Sequence, residues 1–253
     1  MKHLAYNKTG KGFPIVLLHG YFGGPAMWQF QIDDLKKHYE VITPSLAGYA
    51  ESASLKSPDS IYENATLVIE LLYHLRIDNY FLLGHSMGGM IVQEIAAMDS
   101  STVEKLICFG TGPMGTLPSR FETIEETRQK ILSLGLKSVR EEIAKTWFVD
   151  YENSKGYYIC LEESKKATQQ AALASLAAWE KWNGLKQLLK INCPTLIIWS
   201  DKDKSYDWLQ QQALKKGIKD SEIIVIKNCA HNAHMEKPRE FNEILLNFLR
   251  KNQ

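Results

Sequence analysis

Tyr80-Phe81-Leu82-Leu83-Gly84-His85-Ser86-Met87-Gly88-Gly89 is the stretch that decides the fold. Its first four residues form an apolar run that reads as a buried strand. Met90, Ile91, Ile95 and Met98 then continue as an apolar stripe at helical spacing. Ser86 therefore falls in a tight strand-to-helix turn between Gly84 and Gly88. A serine hydroxyl is a poor nucleophile in water, so a catalytic one must stand clear of its neighbours where a base can reach its proton. A strained turn achieves this and leaves no room for a Cβ at the flanking glycines. G-x-S-x-G alone arises by chance; its strand–turn–helix setting makes this one a nucleophile elbow and Ser86 the candidate nucleophile.

Outward from the elbow, short apolar runs recur at Ile15–Leu18, Val41–Thr43, Leu106–Phe109, Thr195–Trp199 and Glu222–Ile226, with helix-like stretches between most of them. The runs are continuous rather than alternating, as expected for parallel strands covered by helices on both faces. Leu4–Tyr6 reads as a short edge strand before the turn Thr9-Gly10-Lys11-Gly12. The rhythm stops between Gly112 and about Leu189, where Phe121–Leu134, Ser138–Phe148 and Ser164–Leu189 carry helical spacing. The expected architecture is α/β: a mostly parallel central sheet formed by residues 1–112 and 190–253, with a helical lid inserted at 113–189, all in a single structural domain.

At 253 residues the chain can bury an adequate core without disulfides, and 45% hydrophobic with 23% charged residues is ordinary for a soluble globular protein. A net charge of +1 gives no electrostatic reason to expect nucleic acid or an acidic membrane surface as a partner. No apolar run approaches a membrane span, and the start lacks the apolar segment of a signal peptide, so a cytoplasmic protein is expected. Cys108, Cys160, Cys193 and Cys229 are widely spaced and have no patterned histidine partners. They read as free, mostly buried thiols, and neither a metal nor a cofactor is expected.

A serine nucleophile needs a base, a carboxylate to orient it and donors for the oxyanion. Of the seven histidines, His3 lies at the N-terminal edge, His38 and His74 on helix-like stretches, and His19 and His85 in backbone-shaping motifs. His231 and His234, after the last strand, remain. Asp201 and Asp203 both leave the strand Thr195–Trp199, and Asp207 follows more distantly.

The chain resembles the α/β-hydrolase superfamily, in the lidded group of esterases, enol-lactonases, perhydrolases and carbon–carbon bond hydrolases. The resemblance covers nearly the whole length. It rests on His19-Gly20, on Gly84 to Gly89, on Ser200-Asp201-Lys202-Asp203, and on Ala230-His231 followed by Glu236-Lys237-Pro238. The family's last motif places a glutamate, in Glu-x-Pro, five positions after the catalytic histidine. This register implies His231 as base and leaves His234 as a lid-facing or structural residue. The family's Gly-x-x-Asp implies Asp203 as the acid, with Ser200 in place of the glycine and Asp201 as the alternative. The backbone N–H groups of Met87 and Tyr21 are the implied oxyanion donors. Pro44 to Ser52 departs from the usual Asp-x-Pro-Gly-x-Gly-x-Ser at Ser45, Ala47 and Ala50, which affects the conformation of that loop rather than the chemistry.

Tyr21, Phe22, Met27 and Trp28 are candidates for the acyl side of the pocket, Trp28 being equally a candidate for core under the lid. Trp147, Phe148, Tyr157, Tyr158, Trp179 and Trp182 suggest an apolar, partly aromatic pocket in the lid. Trp179 and Trp182 also form a stripe with Leu173 and Leu176, and such stripes are more often core. Arg120, Arg128 and Arg140 are candidate carboxylate clamps or members of exposed helix faces. The leading expectation is a cofactor-free serine hydrolase acting on a small, fairly apolar carboxylic ester or lactone. The alternatives are carbon–carbon hydrolysis of a β-diketone-like substrate and a non-enzymatic ligand receptor on the same fold. Nothing in the chain marks an oligomer interface.

Overall fold

The computed structural model describes residues 3–116 and 120–251. In chain order the elements are β1 (Tyr6–Gly10), β2 (Phe13–Leu18), α1 (Gln29–Leu35), β3 (Tyr39–Pro44), α2 (Ile61–His74), β4 (Tyr80–His85), α3 (Met87–Met98) and β5 (Val103–Phe109). The inserted helices α4 (Ile124–Leu134), α5 (Leu136–Thr146), α6 (Tyr157–Lys165) and α7 (Gln169–Lys181) follow. The core resumes with β6 (Thr195–Ser200), α8 (Trp208–Gly217), β7 (Ser221–Ile226), α9 (Ala233–Glu236) and α10 (Pro238–Arg250).

The strands form one seven-stranded sheet in the order β1-β3-β2-β4-β5-β6-β7. Only β1 runs antiparallel, along β3; every other pairing is parallel. The continuous apolar runs follow from this arrangement. Ile15 and Leu17 of β2 pack with Leu35 of α1 and Phe241 and Leu245 of α10, whereas Val16 and Leu18 pack with Val68 of α2 and Ile91 of α3. Both faces of the strand are buried, so both side-chain parities must be apolar. The edge strand is the exception to the expected boundaries. It runs from Tyr6 to Gly10 rather than over Leu4–Tyr6, because the ladder to β3 pairs Tyr6 with Pro44 and continues to Gly10 opposite Glu40.

The inserted segment also differs in detail. The single stretch expected over Ser164–Leu189 is broken at both ends of α7. Thr168 caps α7 by accepting the Ala171 N–H at 3.1 Å, and Trp182 leaves the helix with extended backbone. Helix α6 carries little amphipathic pattern and was not expected. Helix α4 starts with a capping box in which Thr123 and Glu126 satisfy each other's backbone N–H groups. The segment is fastened to the core by the Tyr49 hydroxyl to Ser175 (2.7 Å), by reciprocal bonds between Gln170 and the Ser57 backbone, and by the Trp182 indole N–H to Glu94 (2.7 Å).

The sheet order reverses between β2 and β4. In an open parallel sheet the loops leaving the carboxyl ends at such a point diverge and open a crevice. Tyr21 follows β2 there, and Ser86 follows β4. Among the described residues, no helix is long and apolar enough to cross a membrane and no group of three or more metal-ligating side chains converges. The four cysteines are free and buried.

Candidate active site

Ser86 has φ 57° and ψ −118°, a left-handed conformation that L-residues avoid, at a cost of about 1–3 kcal/mol. Its surroundings hold it there. The Ser86 N–H donates to Phe109 O at 3.0 Å, and its carbonyl accepts from the N–H of Gly89 (2.9 Å) and the Thr111 hydroxyl (2.8 Å). A Cβ at Gly84 would lie 2.2 Å from Gly88 O, and one at Gly88 would lie 2.5 Å from Leu18 O. Strand β4, helix α3 and the end of β2 approach too closely for any residue but glycine.

His231 lies in the loop between β7 and α9, with its side chain almost fully buried. Its Nδ1 donates to Asp203 Oδ2 at 2.9 Å. The other Asp203 oxygen accepts backbone N–H groups from Ser205 (2.7 Å) and Tyr206 (3.2 Å), so the buried carboxylate has donors on both oxygens. Asp201 faces away and accepts the Asn228 N–H at 2.6 Å, and Asp207 caps α8 through the Gln210 N–H at 3.0 Å. Glu236 fixes the histidine loop by accepting from Ala230 N–H (2.6 Å) and from Val149 N–H in the inserted segment (2.8 Å). Burial raises its pKa against the opposing pull of those two donors.

Further histidines support this layer as neutral rings. His85 donates through Nε2 to the His231 carbonyl at 3.1 Å, and its ring centroid lies 4.4 Å from that of His231. Burial, followed by the neighbouring histidines, pushes its pKa well below the ordinary value. His19 donates through Nδ1 to Gly20 O (2.9 Å) and accepts the Leu46 N–H at Nε2 (3.0 Å), which fixes one tautomer; burial lowers its pKa to about 4. His234 has no well-aligned hydrogen bond at either nitrogen, although the Met27 backbone approaches it. Burial, then His231, lowers its pKa to about 3.

Ser86 and His231 line one narrow cavity together with Tyr21, Arg120, Trp179 and Tyr206. Its empty space, including the part open to solvent, is about 370 Å³. No hydrogen bond joins Ser86 Oγ to His231 among the described residues; such contacts commonly tighten only once substrate is bound. The Tyr206 hydroxyl interacts instead with the Ser86 and Thr111 side chains, and its ring stacks on His231 at 5.8 Å and 15°. Burial raises the Tyr206 pKa. The backbone N–H groups of Tyr21 and Met87 donate to no group among the described residues. The Gly20 backbone beside Tyr21 lies against the Ser86 side chain, where an added Cβ would meet Ser86 Cβ at 2.9 Å.

Of the side chains expected to line a pocket, Tyr21, Trp147 and Trp179 do so, whereas Phe22, Met27, Trp28, Phe148, Tyr157, Tyr158, Trp182 and His234 are not in its lining. Phe22 is fully buried in the core against Tyr21, at 4.0 Å between ring centroids. Trp28 packs 5.0 Å from His234 on the α1/α10 face of the sheet, with Phe109 5.3 Å from the same histidine. Trp182 turns its indole to Glu94. Arg120 reaches the cavity from the chain just before α4 and does not lie on an exposed helix face, whereas Arg128 does lie on such a face, paired with Glu125 and Glu180. Tyr206 had no sequence signal beyond its place three residues after Asp203.

A mostly parallel sheet with a serine elbow after β4, a buried Asp–His pair after β6 and β7, and helices inserted after β5 defines an α/β-hydrolase fold. The chain matches the alpha/beta hydrolase family over residues 15–244 and belongs to it. It is 28% identical to the AB hydrolase superfamily protein YisY of Bacillus subtilis, across 94% of this chain and 92% of that protein. It is 25% identical to the 2-hydroxy-6-oxo-6-phenylhexa-2,4-dienoate hydrolase of Comamonas testosteroni, across 97% of this chain and 91% of the other. The bromoperoxidase from Bacillus anthracis superposes with a TM-score of 0.91 at 26% identity, covering 97% of this chain and 95% of that one.

Proposed function

We propose that the protein is a serine hydrolase that cleaves a small carboxylic ester or lactone through an acyl-enzyme on Ser86. The observation that carries this reading is the strained Ser86 facing the same cavity as a buried histidine whose Nδ1 proton is held by a carboxylate. Asp203 fixes the His231 tautomer, leaving Nε2 free to accept a proton. His231 takes the Ser86 hydroxyl proton as Oγ attacks the substrate carbonyl carbon. The carbonyl oxygen becomes an oxyanion against the free N–H groups of Tyr21 and Met87; one such donor is typically worth about 10²–10³ in rate. His231 then protonates the leaving alkoxide. A water activated by the same nitrogen hydrolyses the acyl-enzyme and frees Ser86. The inserted helices act as a lid, and the cavity beneath it suits a short acyl group.

Steady-state hydrolysis of p-nitrophenyl esters from acetate to decanoate, wild type against Ser86→Ala, tests the reading. Turnover that vanishes in the variant, with an optimum at short chains, is expected. Equal turnover by both proteins would overturn it. Carbon–carbon hydrolysis is the second reading, favoured by the Comamonas relative. It predicts that no ester is turned over while a fluorophosphonate still labels Ser86.

A further inference from the structure

Among the described residues, three side-chain donors in the wall around Ser86 have no partner. The Tyr21 hydroxyl, the Trp179 indole N–H and Arg120 Nη1 are each buried with no hydrogen bond to any described residue, and all three residues line the cavity that Ser86 and His231 share. Unpaired buried polar atoms are uncommon because each forfeits its hydration. Here they coincide at one place and with one polarity. Tryptophan and arginine can only donate, and a tyrosine hydroxyl can donate. Among the described lining residues, no unpartnered side-chain atom is an obligate acceptor.

Arg120 is also placed for use. Its guanidinium stacks over the rings of Phe121 (5.0 Å) and Trp179 (5.1 Å), which fixes its plane without neutralising it. No carboxylate pairs with it among the described residues. Glu122, whose charge it feels, is engaged by Lys130 at 2.8 Å and Thr127 at 2.5 Å. A cation buried beside apolar walls without a counter-charge is unfavourable unless an anion joins it.

We propose that this wall is a receptor for a carboxylate carried at the far end of the substrate's acyl group, with Arg120 pairing its charge and Tyr21 and Trp179 donating to its oxygens. A planar monoanion matches the single guanidinium, whereas a phosphate dianion would leave one charge uncompensated. Met90, Ile143 and Trp147 line the same cavity and suit the methylene stem between the two ends. The substrate class is therefore a half-ester, or a lactone bearing a carboxylate. This assignment rests on Ser86 being the nucleophile, and the test below separates the two.

Monomethyl succinate, glutarate and adipate would be compared with neutral methyl esters of matched length, using wild type, Arg120→Lys and Arg120→Met. The wild type is expected to favour the half-ester at one chain length by about tenfold or more in kcat/KM, mostly through KM. Arg120→Met is expected to cut that ratio about 10- to 100-fold, and Arg120→Lys, which keeps the charge but loses the planar fork, to fall between. A wild-type ratio at or below unity at every length, with the neutral esters turned over, would overturn the receptor and leave the nucleophile standing. So would an unchanged ratio in a folded Arg120→Met protein. If Arg120→Met fails to fold, the wild-type ratio and Arg120→Lys decide. Calorimetry of monomethyl adipate and monomethyl glutarate with Ser86→Ala removes the dependence on turnover. Binding that is weakened on adding Arg120→Lys supports the receptor even if no ester is cleaved, and absence of binding together with absence of discrimination refutes it.

Discussion

Replacing Asp203 with asparagine changes a single group, and the local geometry determines the outcome. The carboxylate has donors on both sides: Oδ1 accepts the N–H groups of Ser205 and Tyr206, and Oδ2 accepts the His231 Nδ1 proton. Asparagine has one acceptor and one NH₂. If its oxygen stays with the two backbone N–H groups, its NH₂ faces Nδ1, which must then present a lone pair. The imidazole proton moves to Nε2, and the ring can no longer take a proton from Ser86. Flipping the amide instead would set NH₂ against two backbone donors, leaving buried groups unsatisfied at about 1–3 kcal/mol each. The wrong tautomer is therefore the stable arrangement. Where a triad aspartate has been neutralised in this way, kcat falls about 10⁴-fold, equivalent to about 5 kcal/mol in the barrier. The assay is steady-state hydrolysis of p-nitrophenyl butyrate, with Ser86→Ala as the floor and circular dichroism confirming the fold. Asp201→Asn is the control: that side chain accepts one N–H from Asn228, a role an amide oxygen can fill, so kcat should stay near wild type. Activity of Asp203→Asn within about tenfold of wild type, or an equal loss in Asp201→Asn, would refute the assignment of the acid.

The buried neutral histidines predict acid sensitivity. His19 and His234 have folded-state pKa values lowered to about 4 and about 3, so between those values and 6.5 the unfolded chain binds protons that the folded chain refuses. The histidine contribution to stability is complete above about pH 6.5 and falls as pH is lowered, His19 alone contributing about 3 kcal/mol of loss by pH 4; urea unfolding at pH 7, 5.5 and 4.5 should show the slope, and His234→Phe should flatten it. Gly88→Ala puts a methyl group 2.5 Å from the Leu18 carbonyl oxygen, so the variant should melt lower and lose kcat as the elbow shifts; a wild-type melting curve would contradict that crowding. Trp182→Phe leaves the buried Glu94 carboxylate without its indole donor, at a cost of about 1–3 kcal/mol. Its melting temperature should drop by about 2–4 °C per kcal/mol lost, with KM for a small ester unmoved, whereas a raised KM would return Trp182 to the pocket.

Sequence pattern reveals what is periodic or sterically forced. The five central strands were legible because burial on both faces leaves a continuous apolar run, the half-buried edge strand β7 because residues 223–226 are apolar throughout, and the elbow because glycine is required at two fixed offsets. The antiparallel edge strand was displaced in the reading because Tyr6–Gly10 is exposed along its whole length, so no burial pattern marks it. Helix α6 was missed for a related reason: its hydrophobic residues do not gather on one side. His231 and Glu236 could be paired through their register, and Glu236 does tether the histidine loop. The aromatic residues were harder to place. A tryptophan that lines a cavity and one that fills a core share the same spacing, and only tertiary packing separates Trp179 from Trp182. Arg120 was one of three candidate clamps with nothing in the sequence to single it out, and Tyr206 gave no signal, because the cavity residues each meets, Trp179 and His231, are distant in sequence.

On the proposed mechanism, the sheet order also makes the chemistry of this chain report the completion of its folding. Ser86 leaves the fourth strand, while Asp203 and His231, the acid and base proposed for it, leave the sixth and seventh, across the whole inserted helical segment. A chain that has paired β2, β3, β4 and β5 already has its serine at the elbow, yet without β6 and β7 that serine is an inert alcohol. Such long-range pairings are also slow to form. Regain of ester turnover during refolding should therefore lag behind the recovery of helix signal, and a partly folded intermediate should carry no hydrolytic activity that could damage bystander esters.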